Sequence, residues 1–501
     1  MMRITNSMMS QNTKTNINLN KTEYDRKNTV VATGQKISRP SEDPVIAIRA
    51  LRMNTNLTQL NQYYEKNIPD ANAWMEVTET ALLQTNEIYA QIKENLTGGA
   101  SDDNTANDRS KILENLKGLR DQIYASGNAD YAGRTVFTGY RTGETLTFLK
   151  SQSNQKYNIT EPFAAEDIKN LEYVSGSESG DITLVEKENV TRVRLAYGDL
   201  TIPQDGTPTI TMVKDYEGAA PTTSTYAVTT KSIFGKTPSE IDDIYTNVGD
   251  DEVVLIPETG ELILGTNVSD DLKTATIKDK ITFDYTKTNF EKGDLRPEHY
   301  FACKVTEGTK ETLYNYNKDV DPAVPDFHNQ SIEVEVSFNQ KVPINTHASD
   351  VFMHGIGREV DELIKTIEDV IASEQRLSSI KSQYNSGTSS VTKDELDAAQ
   401  KEYDLKKEIS QKRFSKALTE FDGYFDRNNL AISNIGSMSN RLTITKERVA
   451  DQIKNFTSLA SDNINAELTD SSIDLKNAQV ALQAAQLAAG KISEQTLLNY
   501  I

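Results

Sequence analysis

Residues 465–500 read NAELTDSSID LKNAQVALQA AQLAAGKISE QTLLNY. Leu468, Ser471, Leu475, Ala478, Leu482, Ala485, Ala489, Ile492 and Thr496 recur there at alternating spacings of three and four, the repeat of a coiled-coil helix. Seven of the nine are apolar, and the alanines let a second helix approach closely. No charge falls between Lys476 and Lys491, and an off-stripe line, Ile473, Val480 and Leu487, repeats every seven residues. Left bare, such a stripe is a patch that soluble monomers avoid. The segments able to cover it are the N-terminal one and the same helix of other copies; an ordinary packed terminal helix is the plainer alternative.

Working outward, the front of the chain holds a second stripe. Between 45 and 97 the same spacing joins Leu57, Leu60, Tyr64, Asn67, Ala71, Trp74, Thr78, Ala81, Thr85, Ile88 and Ile92. A parallel line, Ile68, Met75, Leu82, Tyr89 and Leu96, widens the face enough to meet more than one helix. Trp74 lies on that face and reads as core. Pro69 conflicts with an unbroken helix and predicts a kink or a fresh start at Asp70. Ahead of this, residues 1–36 are rich in Asn and Thr, with Ile4, Met8, Ile17, Leu19, Val30 and Val31 widely spaced. Alone, that segment is expected to be largely disordered. Gly34, Pro40 and Pro44 mark a stiff link, with Ser41 or Asp43 able to cap the next helix.

Beyond Gly98-Gly99 a helix is expected over about 105–125, then a turn into a short strand at Tyr131–Tyr140. Residues 141–348 change character. Asp181–Val185, Thr191–Ala196, Thr209–Val213, Val253–Ile256, Leu262–Leu264, Lys280–Tyr285 and Ser331–Phe338 are short β-prone runs between turns, the grammar of a sandwich or barrel in one or two domains. Helix returns near Val351 and continues, with breaks, to the last stripe. The fold class is therefore multidomain α+β, with coiled-coil helices at both ends and an inserted β-rich central region. The expected domains are 1–44 (inner segment), 45–140 (N-terminal helical part), 141–348 (β-rich), 349–460 (C-terminal helical part with an added hairpin at about 371–410) and 461–501 (terminal helix).

At 501 residues the chain is too long for one core, and its mean hydropathy of -0.56 is polar. A net charge of -20 argues against nucleic-acid binding. Residues 1–56 hold nine Lys and Arg against four Asp and Glu, so the acidic excess lies in the middle and the ends are the parts suited to burial. The single Cys303 sits in a strand-like run and reads as a structural thiol. His299, His328, His347 and His354 form no His-Glu-x-x-His pattern, and no phosphate loop occurs. Pairs such as Asp242-Asp243 and Asp250-Asp251 read as solvated turns. No catalytic, cofactor or metal site is expected, no apolar run is long enough for membrane insertion, and the polar opening Met1–Asn6 is unlike a cleaved signal.

Several motifs carry a resemblance. They are Met2-Arg3-Ile4-Thr5-Asn6-Ser7-Met8-Met9, the run from Gly34 to Pro44, Leu119-Arg120-Asp121-Gln122, Gly133–Tyr140, and Ile435-Gly436-Ser437-Met438-Ser439-Asn440-Arg441-Leu442. Together they resemble the flagellin family over about 1–140 and 411–501. Pro40 and Pro44 favour its hook–filament junction branch over flagellin, which has an alanine-rich motif there. Met438 replaces the arginine usual in the last motif. The resemblance implies a structural subunit of the bacterial flagellum, exported unfolded without a cleaved signal. It implies a tube with the terminal helices innermost and β domains outward. The implied partners are hook-associated protein 1, flagellin, copies of itself and a cytosolic export chaperone. Candidate subunit contacts are Ile4, Met8, Leu57, Leu60, Tyr64, Trp74, Leu82 and Ile88 in the front half. In the last helix they are Leu468, Leu475, Ala478, Leu482, Ala485, Ala489 and Ile492. A chaperone would mask Leu475, Val480, Leu482, Leu487, Ile492 and Leu497. A flagellin filament subunit is the nearest alternative; a secreted adhesin or enzyme acting through 141–348 is the more distant one.

Overall fold

The computed structural model describes residues 6–101, 104–201, 208–216, 218, 220–314, 330–386 and 391–498. Its helices are α1 (Asn6–Thr33), α2 (Pro44–Gln62), α3 (Ile68–Gly99), α4 (Ala106–Ser126), α5 (Pro238–Thr246), α6 (Thr266–Lys273), α7 (Ala348–Val351), α8 (His354–Ser386), α9 (Lys393–Ile464) and α10 (Leu468–Leu498). The first seven strands are β1 (Asp130–Tyr131), β2 (Arg134–Thr135), β3 (Gln155–Phe163), β4 (Lys169–Ser175), β5 (Glu186–Arg194), β6 (Thr209–Lys214) and β7 (Thr222–Thr230). The rest are β8 (Val253–Ile256), β9 (Glu261–Leu264), β10 (Lys280–Lys287), β11 (Ala302–Glu307), β12 (Lys310–Tyr314), β13 (Glu333–Ser337) and β14 (Gln340–Pro343). Two compact units result: Met1–Asp70 with Val334–Val342 and Asn440–Ile501, and Ala71–Glu333 with Pro343–Ser439.

In the first unit, Gly34 at φ +68° ends α1, its N–H donating to Val30 O at 2.8 Å. Asp43 caps α2, its Oδ1 accepting from the N–H groups of Val45 (2.9 Å) and Ile46 (3.1 Å), with Pro44 in the first turn. Helix continues through Pro69 without a break. Residues Tyr63–Asn67 form one π-helical turn in which Ile68 N–H reaches back five residues to Tyr63 O. A proline ring collides with the carbonyl four residues earlier; the wider turn gives the ring room and lets helix run on both sides. The β13–β14 hairpin lies on this turn: Tyr63 Oη donates to Glu335 Oε1 (3.0 Å), Asn67 Nδ2 to Glu335 O (2.8 Å), and Tyr63 meets Phe338 edge-on at 5.9 Å.

The second unit holds a helical bundle and a ten-stranded sheet of order β12-β11-β3-β10-β6-β7-β8-β9-β5-β4. One junction, β7 with β8, is parallel, Val228 facing Val253. The strands pair in one continuous run of ten, and a single core joins residues from both halves of that run. Both faces of β8 and β9 are buried, one by the sheet's own large core and the other by α5, whose Ile244 and Tyr245 pack on Val254, Ile256 and Ile263. A helix thus covers the face of β8 and β9 opposite that core. Asp181–Val185 is a turn rather than a strand, because Asp181 Oδ1 accepts from both the N–H (2.8 Å) and the hydroxyl (2.7 Å) of Thr183. The start of α9 covers the edge strand β4, with Val174, Val185 and Ala398 buried together and Lys169 paired to Glu420 at 2.7 Å. An ionic cluster fastens the sheet to the helices: Glu362 of α8 takes Arg192 (2.5 Å), Arg194 and Arg413 (2.9 Å), while Glu359 takes Arg194 (2.5 Å) and Arg413 (2.7 Å).

The motif Leu119–Gln122 lies on α4 against α8. Arg120 pairs with Asp361 at 2.5 Å, and Tyr124 Oη accepts the N–H of Gly357 at 2.8 Å. A Cβ at Gly357 would meet that oxygen at 2.6 Å. Ala132 and Gly133 both have positive φ, making the tight turn between β1 and β2.

Candidate assembly interface

The terminal helices meet in the first unit. Gln35 and Asn465 form an antiparallel bridge; Lys36 N–H donates to Ile464 O (2.7 Å) and Ala466 N–H to Gly34 O (2.9 Å). Lys36 Nζ adds a bond to Asp462 O, and Lys27 pairs with Asp474. This clip sets α1 antiparallel to α10 and fixes their register. Farther along, Thr13, Asn16 and Asn20 share a groove with Ala481, Ala485 and Ala488. Over its described part, segment 1–36 is helix where it pairs with α10. Half-buried Thr13, Ile17, Asn20, Tyr24, Lys27 and Val31 alternate by four and three, and Thr29 and Val30 near the clip are half-buried as well. The heptad is present but filled at half its positions by Thr, Asn and Lys, and apolar spacing alone misses it. On this helix Arg26 hydrogen-bonds Glu23 at 2.8 Å and holds that carboxyl below its usual range.

The α10 stripe faces α1. Leu475, Ala478, Leu482, Ala485 and Ala489 are half-buried and Ser471 is buried. A second face remains outside. Ile473 and Val480 are 55% exposed and Leu487 is 70% exposed. They stand two residues on from Ser471, Ala478 and Ala485, about 200° around the helix. They repeat every seven residues as an exposed apolar line. Leu468 is also exposed, as are Met8 and Leu19 on α1 and Val45, Ile48 and Leu51 on α2.

The front stripe lies differently. Leu60, Trp74, Leu82 and Ile88, expected to touch other subunits, are buried within the chain and offer no surface to a neighbour. Trp74 meets Tyr131 edge-on at 6.2 Å, beneath Arg134 at 5.1 Å. The line Ile68, Met75, Leu82, Tyr89 and Leu96 is buried throughout, and Tyr89 packs on Phe421 and Phe425 of α9. Asn428 donates to Leu82 O (2.8 Å) and Asn86 Oδ1 (2.6 Å), tying α9 to α3. Leu57 and Tyr64 are half-buried, Tyr64 beneath Lys446 at 5.4 Å. Ile4 lies outside the described residues, as do the side chains of Ile492 and Leu497.

Cys303 is buried in β11, and burial pushes its thiol well above the ordinary range. Burial also lowers His299 and His354 to about 3, so both are neutral. Among the described residues no group of three or more His, Cys, Asp or Glu could hold a metal ion, and no helix is long and apolar enough to cross a membrane.

Residues 4–142 match the bacterial flagellin N-terminal helical region. Flagellar hook-associated protein 3 of Escherichia coli is 28% identical over 157 residues, 31% of this chain and 48% of that protein. A flagellin of Clostridium tyrobutyricum is 24% identical over 143 residues, 28% of this chain and 38% of the relative. The chain thus spans about half the length of the curated relatives it matches, or less. The solved flagellar junction protein of Legionella pneumophila aligns with 79% of this chain and 99% of its own, at 10% identity and a TM-score of 0.28. The similarity is thus to the helical region of flagellins at residues 4–142, with a hook-associated protein 3 and a flagellin among the relatives that share it.

Proposed function

We propose that this chain is a structural adaptor joining the flagellar hook to the flagellin filament through its terminal helices. The observation that carries the reading is the two-faced α10, with one heptad face on α1 and a second, Ile473-Val480-Leu487, exposed. A helix with two such faces is suited to a layer in which each copy covers its neighbour. Hook-associated protein 1 is the partner on the hook side, flagellin the partner on the filament side, and copies of the chain close the ring. Before export, a cytosolic chaperone masks the exposed face of α10. The flagellum is the site of action, and the role is structural rather than enzymatic. The flagellin relative supports a second reading, a filament subunit; Pro40 and Pro44 argue for the adaptor.

The test is a double variant, Val480→Lys with Leu487→Lys, in the full chain. Both side chains are exposed, so circular dichroism of the monomer should not change. Cells carrying it should build hooks without filaments and shed unassembled flagellin into the medium. Filaments of wild-type length would sink the proposal. Copy number separates the two readings: one ring per flagellum for the adaptor, thousands of copies for a filament subunit.

A further inference from the structure

The second unit contains a cleft of about 1460 Å³ whose wall includes Gly198, Thr259, Lys287, His354 and Arg358. The neighbouring arginines, Arg192 (buried) and Arg194 and Arg413 (half-buried), are ion-paired. Lys287 and Arg358 are not: among the described residues no carboxylate lies within 4.0 Å of either. Lys287 is buried and donates only to a neutral carbonyl, Gly198 O, at 2.7 Å. Arg358 donates through Nη2 to Thr259 O, and its Nε is buried with no hydrogen-bond partner. The two cations converge on Gly198, since a Cβ there would stand 3.4 Å from Arg358 Nη1.

A buried cation without a close counter-charge is costly. Burial lowers the Lys287 ammonium below its ordinary value, and burial with the charge of Arg194 brings Arg358 to about 10. Arg358 is half-buried, and the planar N–H groups of a guanidinium match a planar carboxylate. Acidic groups also act here at longer range: Asp294, Asp199 and Glu291 on Lys287, and Asp361 and Glu161 on Arg358. They favour a singly charged guest over a polyanion. His354, neutral and bonded to Tyr197 Oη at 2.7 Å, adds no charge.

We propose that Lys287 and Arg358 form a binding site for the carboxylate of a small ligand, seated beside Gly198, where Arg358 Nη1 stands closest. The probe is sodium acetate, followed by saturation-transfer NMR of its methyl group on the full chain in a buffer free of other oxyanions. A saturable signal in the millimolar range is expected. It should weaken at least ~10-fold in Lys287→Met and in Arg358→Gln, and less in Arg358→Lys, which keeps charge but loses the fork. Lys287→Met removes a buried unpaired cation, so without acetate its melting temperature should equal or exceed that of the wild type. That variant decides the matter even if Arg358→Gln misfolds. Absence of saturable binding, or an unchanged acetate signal in Lys287→Met, would overturn the proposal. Inorganic phosphate displacing acetate at lower concentration than acetate itself requires would overturn the carboxylate assignment.

Discussion

Glu362 shows how much one side chain can hold. Burial alone would raise its pKa, but the charges of Arg192, Arg194 and Arg413 outweigh burial and bring the carboxyl to about 2. A carboxylate depressed in the folded state stabilises the fold above its unfolded pKa of about 4.3, and that contribution is lost as pH falls toward the folded value. Glu362→Gln should therefore cost about 3 kcal/mol at neutral pH, the low end for a buried pair stripped of one partner, since Glu359 and Glu261 still face the arginines. Between about pH 4.3 and 2 the variant should also take up about one proton fewer on unfolding. Urea melts across that range measure both effects. Equal stability of variant and wild type at pH 7 would show the cluster to be dispensable. None of this was legible in the sequence, because the residues are spread from 192 to 413 and only the sheet's topology gathers them.

Among elements, the helices written in apolar residues could be read and those written in polar ones could not. The α10 stripe and the fully buried line from Ile68 to Leu96 follow from spacing alone. α1 escaped notice because Thr13, Asn20 and Lys27 stand at its heptad positions. α5 lay unrecognised inside a β-rich region, although Thr237 followed by Glu240 is a capping signal, and in the structure the Glu240 carboxylate accepts from both the N–H and the hydroxyl of Thr237 at 2.8 Å. Pro69 was seen as a defect, but the π-turn that accommodates it leaves no mark in hydrophobic spacing. That turn amounts to one inserted residue, which suggests a paired test. Deleting exposed Glu65 should restore regular α-helix and keep both flanking faces in place, but it would bring the Pro69 ring against a carbonyl at a cost of about 3 kcal/mol. Combined with Pro69→Ala, the same deletion should cost less than about 1 kcal/mol. Chemical denaturation of the three variants closes the cycle, and equal cost for the deletion in both backgrounds would separate the π-turn from the proline.

For the whole molecule, stability is unevenly distributed. No apolar side chain described on α1 or α10 is fully buried, whereas α3 alone contributes Ile68, Met75, Leu82, Tyr89 and Leu96 to the core. Opening free energy follows the apolar surface that opening exposes. The terminal pair rests on half-buried Ile17, Tyr24, Leu475 and Leu482, the Lys27–Asp474 ion pair and the clip at Gly34–Lys36. Exposed ion pairs add little. The pair should therefore open well before the second unit unfolds. In native-state hydrogen exchange on the isolated chain, amides of 13–31 and 471–489 should exchange at least ~100-fold faster than those of 82–92, a gap of about 2.8 kcal/mol in opening free energy. Covering the Ile473-Val480-Leu487 face with a second copy would bury the side chains that now stand exposed, so protection of both terminal segments should rise in the assembled state and nowhere else as strongly. Terminal segments protected as well as 82–92 in the monomer would mean that the pair is complete by itself. The exposed face would then lose its claim to be the place where the next copy docks.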